Sequence, residues 1–206
     1  MRKSVLLPLI AFSAAFFSGN IRASSLPELA EKLVASSPSI GSKAKVKHDG
    51  FIEYAFSPDK GAENLVLNVI GSAKYEIRVM AYAFTSSRIT AALIAAKKRG
   101  ADVALIVDRK HNAELDASGK ARAALSALVN AGCRVRTTDA FAIHHDKAII
   151  VDRETVQTGS FNYSASAARR NSENVLVVWK NPELARAYLE HWANRYNGGS
   201  DFATRY

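Results

Sequence analysis

Cysteine is almost missing from this chain, which limits how its fold can be stabilised. Cys133 is the single cysteine among 206 residues, so an intrachain disulfide is excluded. We expect a buried thiol there rather than a catalytic one, because the sequence shows no histidine partner for it. His144, His145 and Asp146 make a poor metal site, since neighbouring residues rarely chelate together and no remote ligands with zinc spacing follow. We therefore expect neither a metal nor a cofactor.

A hydrophobic run long enough to span a membrane is missing too. The most apolar run, Val5–Phe17, has 13 residues, whereas a spanning helix needs about 20. It follows the basic residues Arg2 and Lys3 and precedes the small residue Ala23, which is the layout of a secretory signal peptide. We predict a signal peptide over residues 1–23, a periplasmic or secreted protein, and no stable membrane insertion once the signal is removed. An uncleaved N-terminal anchor is the alternative.

Internal repeats, low-complexity tracts and linkers rich in proline or serine are absent as well. The spacing of apolar residues predicts a helix over Leu26–Ala35, within an N-terminal lead-in at 24–50 that becomes loose before the first strand. Residues 51–206 then form one domain, long enough for a sizeable core. Acidic residues are outnumbered, 19 against 28 basic ones, for a net charge of +9. A basic surface favours polyanions such as nucleic acid or anionic lipid head groups.

Strand-like and helical segments alternate from residue 51 onward. Short apolar runs predict strands at 51–56, 76–84, 102–107, 133–136, 147–151, 155–158 and 174–179. Apolar residues at helical spacing predict helices at 63–70, 86–98, 117–130 and 181–196. This alternation predicts an α/β fold in which helices cover a mainly buried sheet. Chemistry in such folds collects at strand ends and in the loops beyond them.

The segment from residue 145 to residue 162 follows the pattern H-x-K-x4-D-x6-G-S-x-N. Its fixed positions are His145, Lys147, Asp152, Gly159, Ser160 and Asn162. Two residues apart on a strand, the histidine and the lysine point to the same face. The asparagine follows the next strand and can return to the same place. The glycine and serine form a tight segment whose backbone N–H groups are expected to approach an anion.

These side chains suit the cleavage of a phosphodiester without a metal. An imidazole titrates near neutral pH, so the neutral form of His145 is available to attack phosphorus. Lys147 and Asn162 can offset the charge that develops on the phosphate oxygens. Attack would give a covalent phosphohistidine that water later hydrolyses. Each residue alone would be an ordinary solvated side chain, but six positions at fixed spacing favour a site.

This pattern resembles the HKD motif of the phospholipase D superfamily, and the chain is most similar to the small, single-motif bacterial endonucleases of that superfamily. The similarity covers about residues 50–196 and includes the segments AYAFTS (81–86), RGADVALIVD (99–108) and Ser-Glu-Asn (172–174). The resemblance implies a mixed sheet with helices on both faces. It also implies an exported enzyme that needs no metal.

The resemblance assigns a role to each matching position. His145 matches the nucleophile or its acid counterpart. Lys147 and Asn162 match the residues that bind phosphate, and Ser160 matches a serine near both the phosphate and the imidazole. Among the remaining catalytic candidates, Asp152 matches an aspartate that is more structural than chemical in that family. Glu173 resembles the acid that hydrogen-bonds the motif histidine and fixes its tautomer.

Aromatic rings flank the expected site. Tyr82, Phe84, Phe161 and Tyr163 are candidates for stacking on bases, with core packing as the alternative for Phe84. His111 is a candidate for contact with the substrate backbone, with a solvated loop as the favoured interpretation. His144 would point away from His145 and is interpreted as structural or loop-exposed.

A single motif also has consequences for assembly. A histidine bonded to phosphorus cannot also protonate the leaving oxygen, so a separate acid is needed. Of the five histidines, only His145 carries the pattern. A two-fold symmetric homodimer that shares one active site would supply the second imidazole.

Three functions are compatible with these residues. The leading one is a non-specific endonuclease that hydrolyses DNA, with RNA left open as a second substrate. The alternative is a phospholipase D that acts on phospholipid head groups, because the same site chemistry would serve. A catalytically inactive nucleic-acid-binding module is the third, and the intact motif argues against it.

Overall fold

Strands and helices alternate throughout residues 49–204, the part of the chain that the computed structural model describes. The strands are β1 (Ile52–Ser57), β2 (Glu76–Ala81), β3 (Asp102–Asp108), β4 (Arg134–Thr138), β5 (Lys147–Val151), β6 (Thr155–Gly159), β7 (Glu173–Val178) and β8 (Ser200–Asp201). The α-helices are α1 (Ala62–Ser72), α2 (Ser87–Lys98), α3 (Lys120–Asn130), α4 (Ala165–Arg169) and α5 (Pro182–Asn197), and a π-helical turn covers Lys110–Glu114. The predicted signal peptide and the helix over Leu26–Ala35 lie outside the described residues.

All eight strands belong to one sheet, in the order β1-β7-β6-β5-β2-β3-β4-β8. β2, β3 and β4 run parallel to one another, whereas every other pair of neighbours is antiparallel. The predicted class, a mixed and mainly buried sheet in an α/β fold, is therefore confirmed.

Helices cover both faces of this sheet because its central strands are apolar on both sides. Val79, Leu105 and Ile149 belong to the core beneath α1, α2 and α3. Their neighbours in sequence, such as Met80 and Ile106, belong to a second core beneath α5. The strict change of face from one residue to the next explains why the sequence shows continuous apolar runs there rather than alternation.

Some element boundaries differ from the prediction for local reasons. β2 ends at Ala81 rather than at residue 84, because the chain bends at Tyr82 and Phe84 then forms an isolated bridge with Tyr163. α3 begins at Lys120 rather than at residue 117, because the Asp116 carboxylate accepts hydrogen bonds from Ser118 Oγ and the Arg122 N–H and holds a turn there. The π-helical turn, α4 and β8 were not predicted, since each is too short for a periodic pattern.

The buried thiol expected at Cys133 is confirmed, and the start of α5 is capped by a side chain. Cys133 is buried, and that burial raises the pKa of its thiol to about 11, as an inert structural cysteine requires. Asn181 caps α5 by accepting a hydrogen bond from the Leu184 N–H, and Pro182 occupies the first turn.

No helix within residues 49–204 is long and apolar enough to cross a bilayer.

Candidate active site

One end of the sheet collects most of the side chains that the sequence pattern singles out. At this end β2 and β6 finish, while β5 and β7 begin. The register pairs Ala81 with Lys147 and Gly159 with Val175, and β7 starts at Glu173. Because these four strands are neighbours, residues that are distant in sequence meet at their ends.

His145 and Lys147 both lie beside the ring of Tyr82, just beyond β2. The centroids of the Tyr82 and His145 rings are 4.6 Å apart, and Lys147 Nζ lies 5.1 Å from the Tyr82 centroid. Lys147 Nζ also donates a hydrogen bond of 2.8 Å to the carbonyl oxygen of His145. Both side chains therefore reach the same ring, and His145 precedes β5 instead of belonging to it.

Lys147 is a buried cation, with only 7% of its surface exposed. Burial lowers the pKa of its ammonium below the ordinary value, and the negative charges of Glu173 and Asp146 partly counteract this effect. A positive charge held away from water attracts an anion more strongly than a solvated one does. The chain thus places a partly desolvated cation where a phosphate oxygen could be bound.

Ser160 and Glu173 are linked directly at the same end of the sheet. Ser160 Oγ donates a hydrogen bond of 2.6 Å to Glu173 Oε2, and Asn171 Nδ2 donates to the other carboxylate oxygen at 2.9 Å. The predicted hydrogen bond between Glu173 and His145 is not formed within the described chain. The prediction overlooked that Ser160 and Asn171, which lie on either side of the β6–β7 connection, occupy both carboxylate oxygens.

Gly159 is required by the close approach of β6 and β7. A Cβ atom on this residue would lie 2.2 Å from the carbonyl oxygen of Asn174, and its φ of +148° disfavours other residues. The Ser160 N–H donates to that same carbonyl at 3.2 Å. The expectation that the Gly159–Ser160 backbone would offer this N–H to an anion is therefore wrong, because the ladder between the strands already uses it.

Asn162 is fixed between two fully buried rings, Phe161 and Tyr163. The backbone of Tyr163 is tied to the segment after β2, since its N–H donates to Ala83 and its carbonyl accepts from Thr85. The Asn162 side chain is half-buried, and its Oδ1 is buried without a hydrogen-bond partner. Such an atom costs free energy until something binds it, as expected of a group that awaits a ligand.

Most of the predicted stacking rings are instead part of the core. Phe84, Phe161 and Tyr163 have no exposed surface. The prediction that Phe161 and Tyr163 flank the mouth of the site is therefore wrong, and the core packing weighed for Phe84 is confirmed. Tyr163 donates a hydrogen bond to the buried Gln157, which shows that its hydroxyl faces inward. Only Tyr82 remains half-exposed beside the site.

Comparison with known proteins decides the family. Residues 66–196 match the family described as "Cardiolipin synthase, PLD-like domain". The chain belongs to the phospholipase D-like family. A Rickettsia felis protein named "Phospholipase D" is 34% identical over 176 residues, covering 82% of this chain and 84% of that protein. The solved structure of the phospholipase D family member Nuc from Salmonella typhimurium is 45% identical, covers 75% of this chain and 99% of Nuc, and has a TM-score of 0.71.

A more distant relative in the phospholipase D-like family has a different name. The mouse "Mitochondrial cardiolipin hydrolase" is 30% identical over 127 residues, which span 62% of this chain and 54% of that protein. The resemblance to the phospholipase D superfamily predicted from the sequence is confirmed. The chain is accordingly a phosphodiesterase of this family.

Asp152 of the phospholipase D-like motif lies at the other end of β5, roughly 17 Å along the strand from Lys147 at the usual rise per residue. Its carboxylate accepts three hydrogen bonds of 2.8 Å, from the backbone N–H groups of Lys74, Tyr75 and Glu76. The structure therefore does not bring Asp152 to the site. It fixes the start of β2 against the turn after β5.

A buried polar pair, Asp108 and Asn112, supports the site of this phospholipase D-like domain and was missed by sequence reasoning. Asp108 accepts hydrogen bonds from the backbone N–H groups of His111 and His144. Asn112, which is fully buried, accepts from Phe84 and donates to the carbonyls of Tyr82 and Asp108. The signal available in the sequence was a polar D-x3-N spacing immediately after an apolar strand.

His144 is buried behind the site, in agreement with a structural role. Its Nδ1 lies 3.4 Å from Asp146 Oδ2, and the same oxygen lies 3.1 Å from His191 Nε2 on α5. Burial lowers the pKa of the His144 imidazole, while its Nε2 has no hydrogen-bond partner. Within residues 49–204, no group of three or more histidines, cysteines and acids is arranged to hold a metal ion.

Proposed function

We propose that this phosphodiesterase is an endonuclease that hydrolyses DNA, and that it uses no metal. The observation that carries the proposal is the meeting of an exposed imidazole, a buried ammonium and an amide with an unpartnered oxygen at one end of the sheet: His145, Lys147 and Asn162. These groups supply a nucleophile and polar contacts that stabilise the charge on the phosphate oxygens in the transition state.

The reaction proceeds in two displacements at phosphorus. A nitrogen of neutral His145 forms a bond to phosphorus while the bond to the leaving oxygen breaks, and a second group gives that oxygen a proton. Water then attacks the phosphohistidine and releases the imidazole. Lys147 and Asn162 hold the phosphate oxygens through both steps, and Glu173 positions Ser160 beside them.

Charge supports nucleic acid as the substrate. The chain carries a net charge of +9. Exposed basic residues lie on the segments that follow β3 and β6 at the site end: Lys110, Arg169 and Arg170. Neutralising several phosphates at once favours a long polyanion over a single lipid head group.

A phospholipase D activity is the second candidate, and two observations favour it. The Rickettsia relatives bear that name. In addition, Leu115, Phe141 and Ile143 are exposed on the loops beyond β3 and β4, at the same end of the sheet as His145. Exposed apolar side chains beside a phosphate site could contact a lipid surface.

The missing acid supports a homodimer with a shared active site. Among the histidines within residues 49–204, only His145 combines an exposed position with contact to the ring beside Lys147. We propose that the partner's copy of the same imidazole, in its protonated form, serves as the acid. We also propose that the protein is exported, either to the periplasm or out of the cell.

One assay tests the activity and the site together. Plasmid DNA and phosphatidylcholine vesicles are offered in parallel to the parent and to His145→Ala, both in excess EDTA. The parent should cleave DNA, and the variant should lose that activity by roughly 10³-fold or more while still binding DNA. Lipid turnover with intact DNA would establish the second candidate instead, and equal cleavage by His145→Ala would refute the site. Loss of activity in EDTA with rescue by magnesium would refute the metal-free mechanism.

A further inference from the structure

Tyr82 is the centre of a small group of rings at the mouth of the site. The centroid of its ring lies 4.6 Å from that of His145 and 4.4 Å from that of His111, with interplanar angles of 59° and 35°. Tyr82 and His111 are each half-buried, so part of each side chain faces solvent. The attacking imidazole therefore lies next to a surface of aromatic rings that is partly exposed to solvent.

This ring surface is held rigidly from below. The backbone of Tyr82 is fixed by Asn112 Nδ2, which donates a 2.5 Å hydrogen bond to its carbonyl. His111 sits on the π-helical turn, and its N–H donates to Asp108 Oδ1 at 2.7 Å. Both anchoring side chains are buried. Fixing the backbone that carries both rings lowers the entropy lost when a ligand packs on them.

The position suits a planar group attached to the reacting phosphate. In a nucleotide, the base is separated from its phosphate by one deoxyribose, so a ring in contact with the attacking imidazole is within reach of the adjacent base. Stacking on aromatic side chains is tolerant of sequence, because every base presents a π face. The fatty acyl chains of a phospholipid offer no planar partner for this surface.

We propose that Tyr82 and His111 form a nucleobase-stacking subsite that makes the catalytic site prefer nucleotides to other phosphodiesters. The inference rests on the proposed nuclease function and deepens it. In this subsite His111 acts through its ring and not through its charge, and the base next to the scissile phosphate packs against the open part of the pair.

Two chromogenic diesters test the subsite. Thymidine 5′-(p-nitrophenyl phosphate) carries a base, whereas its base-free deoxyribose analogue carries the same sugar and the same leaving group. The measured quantity is the ratio of kcat/KM for the two compounds, which cancels effects on the chemical step. The pair with phosphate and leaving group on the 3′ oxygen is measured in the same way, because the base can lie on either side of phosphorus.

The variants separate the ring from the charge. His111→Ala should lower the ratio at least about fivefold, the smaller end of what stacking on one side chain contributes. His111→Phe, which keeps a ring, should retain the parental ratio, whereas His111→Lys, which has a positive charge but no ring, should not. Tyr75→Ala is the matched control, because Tyr75 is 75% exposed and precedes β2, at the opposite end from Tyr82; it should leave the ratio unchanged.

The outcomes distinguish this inference from the proposed nuclease function. An unchanged ratio in His111→Ala, or rescue by His111→Lys, would overturn the subsite even if the parent cleaves plasmid DNA. A parent with no preference for the thymidine compound in either orientation would overturn it as well. Failure of the parent to cleave plasmid DNA would instead refute the function on which the subsite rests.

Discussion

At the scale of single residues, the site depends on a lysine that is kept away from water. Lys147 Nζ is pinned by the carbonyl of His145 and lies against the Tyr82 ring, so it is already in place before a ligand arrives. The proximity of His145 and Lys147 followed from their spacing and was predictable. The partners of Glu173 were not, because a hydrogen bond between distant segments leaves no periodic signal in a sequence.

The lowered pKa of Lys147 predicts an alkaline loss of activity. In the proposed mechanism phosphate binding needs the protonated ammonium, so kcat/KM should fall as the pH rises through a value below the ordinary 10.5 of a lysine. A bound phosphate favours the charged form, so the corresponding fall in kcat should occur at a higher pH than that in kcat/KM. Full pH profiles of both parameters for the DNA assay measure this difference. A kcat/KM that stays level through pH 10.5, or falls in kcat and kcat/KM at the same pH, would contradict the prediction.

At the scale of elements, three loops at the site end are tied together by Asp108 and Asn112. Helix and strand positions were largely predictable because α1, α2, β3 and β5 have strong apolar patterns. The loops were not, since Phe161 and Tyr163 look like surface rings in the sequence and become core only when the β2 and β6 ends meet. The Asn112 side chain links the segments after β2 and β3, and that link determines where Tyr82 stands.

Removing this link should destabilise the protein. Asn112→Ala removes the hydrogen bonds of the Asn112 side chain to the buried Phe84 N–H and to two carbonyls, and leaving a buried group unsatisfied costs about 1–3 kcal/mol, although such costs do not simply add. We expect a fall in the free energy of unfolding of about 3 kcal/mol, measured by urea denaturation. Asn68→Ala, at an exposed position on α1, is the control and should stay within about 0.5 kcal/mol of the parent. A neutral Asn112→Ala would show that the loops are held by other contacts.

At the scale of the whole molecule, an apolar strip on the outermost strands remains open. Ile52, Tyr54 and Phe56 point to one side of β1 and are all exposed, and Leu176 on β7 stands directly opposite Tyr54. The strip reaches the site end, where Ser57 pairs with Glu173. A second copy of the chain packed there would cover the strip and bring two sites together. This assembly stays a prediction.

Mixing subunits tests the shared site. Parent and His145→Ala chains are co-expressed in equal amounts and purified together. If each site needs both imidazoles, only parental dimers are active, and about a quarter of the all-parent DNA cleavage should remain at equal total concentration. Independent sites would leave about half. Light scattering at the assay concentration provides the control, since a fully active monomer would exclude the dimer outright.

The six-position pattern combines two separate functions, one catalytic and one structural. In the proposed mechanism His145, Lys147 and Asn162 act on the substrate, whereas Asp152 accepts hydrogen bonds from three backbone N–H groups at the opposite end of β5. The spacing of four residues between the lysine and the aspartate is therefore set by the length of β5 and not by catalysis. The catalytic and structural positions can therefore diverge separately during evolution. Homologues that lose the activity but keep the fold should lose the histidine and the lysine first and retain the aspartate longest.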